Sequence, residues 1–145
     1  MNRTLLSLAL VASFVPAVAL ACDGEKQNTQ ASIGPRETTV AEVAQWTKAK
    51  AAVPVDANGR QTRSSEGVIP GAVLLTSSSE YALTELPTNK QSQLVFYCAN
   101  EKCGASHQAA RRAMEAGYTN VAVLPVGIKG WKAAGQPTSK PNPNS

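Results

Sequence analysis

The most constraining stretch of this chain is Gln93-Leu94-Val95-Phe96-Tyr97, whose short apolar run from Leu94 stops dead at Cys98 and a polar loop. Its length and β-branched and aromatic content suit a strand, and the absence of polar alternation suits a strand covered on both faces. Strands of that kind belong to parallel sheets, which need crossover helices. The rest of the chain supplies them. Thr39-Val40-Ala41-Glu42 has the form of a capping box and opens a helical spacing through Val40, Val43, Ala44 and Trp46 to about Ala51. Ala52-Val53-Pro54-Val55-Asp56 reads as a strand, with Pro54 confined to a free edge or a bulge because it cannot donate to a ladder. Asn58 to Gly67 is polar and reads as a loop. Val68 to Leu75 forms a Pro-Gly turn leading into a strand, and a short helix follows around Tyr81, Leu83 and Leu86, ended by Pro87. After Cys98 and its loop, Ser106 precedes an Ala-rich helix stopped by Gly117. Val121–Leu124 is the next strand, and Gly127–Ala134 a last short helix bearing Trp131. This alternation predicts one α/β domain with a central, mostly parallel sheet and helices on both faces.

The two ends read differently. Arg3 is followed by Thr4–Ala21, almost uninterrupted apolar sequence ending in Ala19-Leu20-Ala21, a small-residue cleavage pattern. Residues 1–21 are therefore expected to be a secretory signal peptide, with export to the periplasm or cell envelope. Cys22 stands directly after it and is a candidate for lipid attachment, which would tether the protein to a membrane. Ala19 departs from the Leu usual at that position of a lipobox, and ordinary cleavage after Ala21 is the alternative. Residues 22–37 hold one large apolar side chain, Ile33, and are expected to be a flexible tether. Residues 138–145 continue a Pro-rich polar stretch and are expected to be a disordered tail. The domain is thus drawn at 38–137.

The net charge of +4 is spread along the chain, without a dense basic run interleaved with aromatics, which argues against nucleic acid as a partner. Three cysteines, Cys22, Cys98 and Cys103, are too few for a disulfide scaffold. No zinc spacing is present, and no metal or other cofactor is expected.

Chemistry is expected at Cys98. Ligands bind beyond the carboxyl ends of strands in open parallel sheets. The helix beginning near Ser106 would aim its free N–H groups at the loop Ala99-Asn100-Glu101-Lys102-Cys103-Gly104-Ala105-Ser106 and stabilise a thiolate there. Lys102 adds positive charge. A small buried cysteine at a strand end is the plainer alternative. Cys103 is the expected partner of Cys98, resolving a persulfide, closing a reversible disulfide or serving structure. His107, the single histidine, is expected at most to help at the helix start.

Asp56, Glu66-Gly67-Val68-Ile69-Pro70-Gly71-Ala72, Phe96-Tyr97-Cys98, Ala109-Ala110, Gly117-Tyr118-Thr119-Asn120-Val121 and Gly127-Ile128-Lys129-Gly130-Trp131 occur in this order. Together they resemble a single-domain rhodanese, a thiosulfate or persulfide sulfurtransferase, over roughly residues 38–137. The resemblance implies a three-layer rhodanese-like fold, Cys98 as the residue that takes up sulfane sulfur, and a small sulfur-containing donor with a thiol or cyanide acceptor. It makes Asp56 and Trp131 structural. The sequence departs from the family's pattern in four places. Asp56-Ala57-Asn58 replaces D-V-R, leaving Arg60 and Arg63 as substitutes for the missing arginine. Val126-Gly127 replaces G-G. The loop is longer than usual, and Ala105 replaces a basic residue. These departures leave two alternatives to turnover, a catalytically silent module and a redox-responsive Cys98/Cys103 dithiol. A Cys-x-x-x-x-x-Arg phosphatase loop is not expected, since Gly104 stands where its arginine would be and Arg111 and Arg112 lie well into the helix.

Overall fold

The structure, a computed structural model, describes residues 34–141. The expected signal peptide, Cys22 and most of the expected tether lie outside them.

Five strands, β1 (Arg36–Glu37), β2 (Val53–Asp56), β3 (Val73–Leu74), β4 (Leu94–Tyr97) and β5 (Val121–Leu124), form one sheet in the order β1-β5-β4-β2-β3. Every neighbouring pair is parallel. The apolar run 94–97 is the middle strand, buried along its whole length. Its side chains alternate between two cores. Leu94 and Phe96 join Val121, Val123, Tyr81 and the alanines Ala109, Ala110 and Ala113 on one face, whereas Val95 and Tyr97 join Ala122, Leu124, Val43, Ile128 and Trp131 on the other. Small alanines let the helix α3 (Ala105–Glu115) lie close on the first face. The helices α1 (Val40–Lys48) and α4 (Gly127–Ala133) cover the second. The expected α/β architecture with helices on both faces is what is found.

Helix α1 starts at the expected capping box. Thr39 Oγ1 accepts from Glu42 N–H at 3.3 Å, and Glu42 Oε2 accepts from Thr39 N–H at 3.0 Å and Thr38 Oγ1 at 2.8 Å. Those bonds, led by the Thr39 N–H, hold the Glu42 carboxyl below its ordinary range.

Pro54 sits on an inner strand, in register with Val95. Val53 N–H and Ala57 N–H donate towards β4, to Gln93 O and Tyr97 O. By strand alternation the Pro54 nitrogen faces the other side, where β3 pairs only from Val55 onward. The proline occupies a locally free edge of an inner strand.

Three expectations change. The stretch read as a loop, Asn58–Gly67, contains the helix α2 (Arg60–Glu66), whose buried inward residue is a cation, Arg63. The short helix near Tyr81 is a single 3-10 turn over Leu83–Glu85. Both drawn boundaries are crossed by structure. Arg36–Glu37, within the expected tether, pair with Ala122 and Val123 as edge strand β1. Ser139, within the expected tail, exchanges both backbone hydrogen bonds with Val68 at 2.9 Å each, and Pro137 O accepts from Trp131 Nε1 at 2.8 Å.

Candidate functional site

Cys98 is the first residue beyond β4 and is fully buried. Its backbone is fixed by α4. Ile128 N–H donates to Cys98 O at 2.8 Å and Lys129 N–H to Ala99 O at 3.1 Å, so two of the free N–H groups at the start of α4 are used on the loop's first two carbonyls. Gly127 makes this approach possible. Its φ is +59°, and a Cβ there would lie 2.7 Å from the Ala99 carbonyl carbon and 2.8 Å from Asn100 N, and closer still to Cys98 O.

The rest of the loop closes on itself. Cys103 N–H donates to Asn100 O at 3.0 Å, and Lys102 N–H to the Asn100 side chain at 3.0 Å. Gly104 then leads into α3, which starts one residue before Ser106. Ser106 is buried, and its hydroxyl donates to Cys98 Sγ at 3.4 Å. The structure therefore brings Cys98, Cys103 and Ser106 together. Ala99, Asn100 and Ala105 surround them with backbone groups. Glu101, Lys102 and Gly104 are exposed on the loop's outer side.

The two thiols are free, and they differ. Cys98 Sγ faces carbonyl oxygens, with Cys103 O at 2.9 Å and Asn100 O at 3.8 Å. Burial pushes its pKa up and Cys103 adds to this, against the opposing hydrogen bonds from Ser106. Cys103 is half-buried. Burial works against its charge, but the neighbouring Cys98 thiol and the N–H groups of Ala99 and Ala105 outweigh that cost, so its pKa is lowered. The sequence reading placed the helix N-terminus behind Cys98. In the structure its first N–H, that of Ala105, serves Cys103, and the N–H and hydroxyl of Ser106 serve Cys98.

Asp56 and Arg63 stand beside this loop as a buried brace. Ala57 N–H donates to Tyr97 O at 2.9 Å, joining the end of β2 to the end of β4. Asp56 Oδ1 accepts from Asn58 N–H at 2.6 Å and Arg63 Nε at 3.2 Å, and Arg63 Nη2 donates to Asp56 O at 3.0 Å and Leu75 O at 2.8 Å. Of the two arginines offered by the sequence, Arg63 takes this place, while Arg60 is exposed. Tyr97 hydroxyl accepts from Ile69 N–H at 3.0 Å, and burial, with the Asp56 carboxylate beside it, keeps the phenol protonated well above its ordinary range.

Two features of the site escaped the sequence reading. One is the use of α4 to anchor Cys98, signalled only by Gly127. The other is a groove of about 370 Å³ lined by Asn100, Glu101, Lys102, Val126, Lys129 and Gly130, which the sequence scatters over thirty positions. His107 does not belong to the thiol site; its Nε2 lies 3.6 Å from Glu37 Oε1 on β1. Arg112 is committed to Tyr81 O, at 3.2 and 3.1 Å from its Nε and Nη2.

Comparison with known proteins agrees with the fold. No curated protein matches the chain. Among solved structures, a protein of unknown function from Rhodopseudomonas palustris, described as a possible tyrosine phosphatase, is 25% identical over 72% of this chain and 85% of that one, with a TM-score of 0.60. A rhodanese-like domain from Anabaena sp. is 22% identical over 72% of this chain and 79% of its own, at a TM-score of 0.57. A human single-domain sulfurtransferase is 21% identical over 69% of this chain and 97% of its own, at 0.55. The last two likenesses show a shared fold. The Rhodanese-like domain family matches residues 39–134, from the cap of α1 to the end of α4, and the chain belongs to that family.

Proposed function

We propose that this protein is a sulfurtransferase of the cell envelope, moving sulfane sulfur from a donor such as thiosulfate to a thiol or cyanide through a persulfide on Cys98. One observation carries the reading: a thiol at the carboxyl end of the middle strand, held in a loop closed by two helix starts, with the N–H and hydroxyl of Ser106 donating to its sulfur. A persulfide anion needs such donors. In the loading step a cysteine thiolate of the loop attacks the outer sulfur of thiosulfate, a new S–S bond forms, sulfite leaves with the electron pair of the broken bond, and the sulfur comes to rest on Cys98. An acceptor then attacks the terminal sulfur and Cys98 departs as thiolate. No metal or other cofactor enters either step.

The test is to incubate the purified full chain with thiosulfate and cyanide, following thiocyanate and the mass of the Cys98 peptide. Thiocyanate release together with gain of one sulfur atom on the loop supports the reading, and absence of both rejects it. A second reading, a redox-responsive dithiol without turnover, is favoured by the placing of two free thiols in one loop, with Cys98 Sγ 2.9 Å from the carbonyl oxygen of Cys103. A stable Cys98–Cys103 disulfide in protein taken from its native compartment, with no thiocyanate formed, would establish it. The envelope location rests on the amino-terminal pattern, with Cys22 as the lipid attachment point. Incorporation of labelled fatty acid into the full chain and its loss in Cys22→Ser tests that part.

A further inference from the structure

Sulfur transfer through Cys98 raises a difficulty that the structure itself answers. Cys98 is closed to solvent, and its thiol is hemmed in by two carbonyl oxygens, the nearer at 2.9 Å. A carbonyl accepts a proton and repels an anion, so this sulfur rests as S–H. It is poorly placed to meet an anionic donor directly.

The geometry points to Cys103 as the thiolate that meets the donor, with Cys98 receiving the sulfur from it. This rests on the sulfur-transfer reading and assigns the order of its steps. Three observations support it. Cys103 is the thiol with access to solvent, while Cys98 has none. Its surroundings favour the thiolate, since the Cys98 thiol and the N–H groups of Ala99 and Ala105, the latter being the first residue of the eleven-residue α3, lower its pKa, whereas Cys98 Sγ faces carbonyl oxygens. The groove bordered by residues 100–102, which immediately precede Cys103, carries Lys102 and Lys129 against one acid, Glu101, and so favours a small anion.

The steps balance without an added oxidant. Cys103 Sγ⁻ attacks the outer sulfur of thiosulfate. The Cys103–sulfur bond forms, the sulfur–sulfonate bond breaks, and sulfite carries away its electron pair. Cys98 then passes its proton to Cys103 Sγ and attacks the terminal sulfur. The persulfide bond to Cys103 breaks as the bond to Cys98 forms, leaving Cys103 as a thiol and Cys98 as a persulfide that accepts from Ser106.

The experiment uses the full chain and its Cys98→Ser and Cys103→Ser variants, with peptide mapping that reports each cysteine separately. After brief exposure to thiosulfate, Cys98→Ser should hold one added sulfur on Cys103, and Cys103→Ser should load Cys98 at least about tenfold more slowly than the unaltered chain loads its pair. Loading of Cys98 at the unaltered rate in Cys103→Ser, with none on Cys103 in Cys98→Ser, would overturn this order while leaving sulfur transfer intact. A chain that takes up no sulfur at all would reject sulfur transfer instead. In that case iodoacetamide at neutral pH still decides which sulfur is the thiolate. Cys103 should be alkylated roughly tenfold faster than Cys98, in line with its larger thiolate fraction. Equal rates or the reverse order would overturn the assignment.

Discussion

Replacing Gly127 by alanine should damage this protein out of proportion to the single methyl added. The φ of +59° at the start of α4 puts an L-residue in the left-handed region, at a cost of about 1–2 kcal/mol. The new Cβ would also stand under 3 Å from backbone atoms of Ala99 and Asn100, which belong to the loop rather than to a side chain that could swing aside. Loop and helix must separate, and the separation strains the Ile128–Cys98 bond of 2.8 Å and the Lys129–Ala99 bond of 3.1 Å. Each is worth roughly 1 kcal/mol net. Together these contributions amount to about 2–4 kcal/mol, or roughly 10–30 °C in Tm for a domain of this size. Urea unfolding followed by the fluorescence of Trp131, which lies on α4 itself, measures it. Gly104→Ala is the control. It lies at the far end of the same loop, with φ −79° and nothing within 4 Å of its would-be Cβ. It should shift stability by no more than about 0.5 kcal/mol. If the two variants unfold at the same urea concentration, the argument that α4 fixes the loop by close approach is wrong.

Arg63→Met should cost about 3–5 kcal/mol by leaving Asp56 buried without its cation, while Arg60→Met, on the exposed side of the same helix, should stay within about 0.5 kcal/mol in the same urea titration. Tyr97→Phe removes the acceptor of Ile69 N–H and should cost about 1–3 kcal/mol, visible as a lower midpoint without a change in slope. Glu42→Gln should destabilise at neutral pH and progressively less in acid. The folded carboxyl titrates below its ordinary range, so its contribution is present in full above that range and is lost as pH falls through the lowered value. A mutant-to-parent gap in urea midpoint that is unchanged down to strongly acid pH would contradict this.

What the sequence made legible follows from what its side chains do locally. The run 94–97 announced a doubly covered strand because both faces are apolar, and both cores now claim alternate residues of it. Thr39 and Glu42 announced the start of α1 because the capping box is complete within four residues. Helix α2 was illegible for the opposite reason. Its one buried side chain is the cation Arg63, which is held by Asp56 and Leu75, seven and twelve positions away, and nothing in Arg-Gln-Thr-Arg-Ser-Ser-Glu repeats at helical spacing with apolar residues. At the site, Cys98 and its loop could be found from the strand end. That Cys98 Sγ would face carbonyl oxygens could not, because that depends on where the carbonyls of Asn100 and Cys103 point. A sequence carries no sign of such directions. The anchoring by α4 is likewise a contact between segments thirty residues apart, hinted at only by a glycine.

The pairing of Ser139 with Val68 also decides how short this protein can be made. A fragment trimmed to the boundaries drawn from composition, 38–137, would lose the edge strand at 36–37 and strip both partners from the Val68 backbone. Val68 is itself buried, and the next residue, Ile69, is the one whose N–H reaches Tyr97. Tyr97 is the last residue before Cys98. The carboxyl-terminal clasp is therefore joined to the Cys98 loop through two hydrogen-bonded steps, Ser139 to Val68 and Ile69 to Tyr97, and a truncated preparation that proved inert would report on its missing ends rather than on its cysteines.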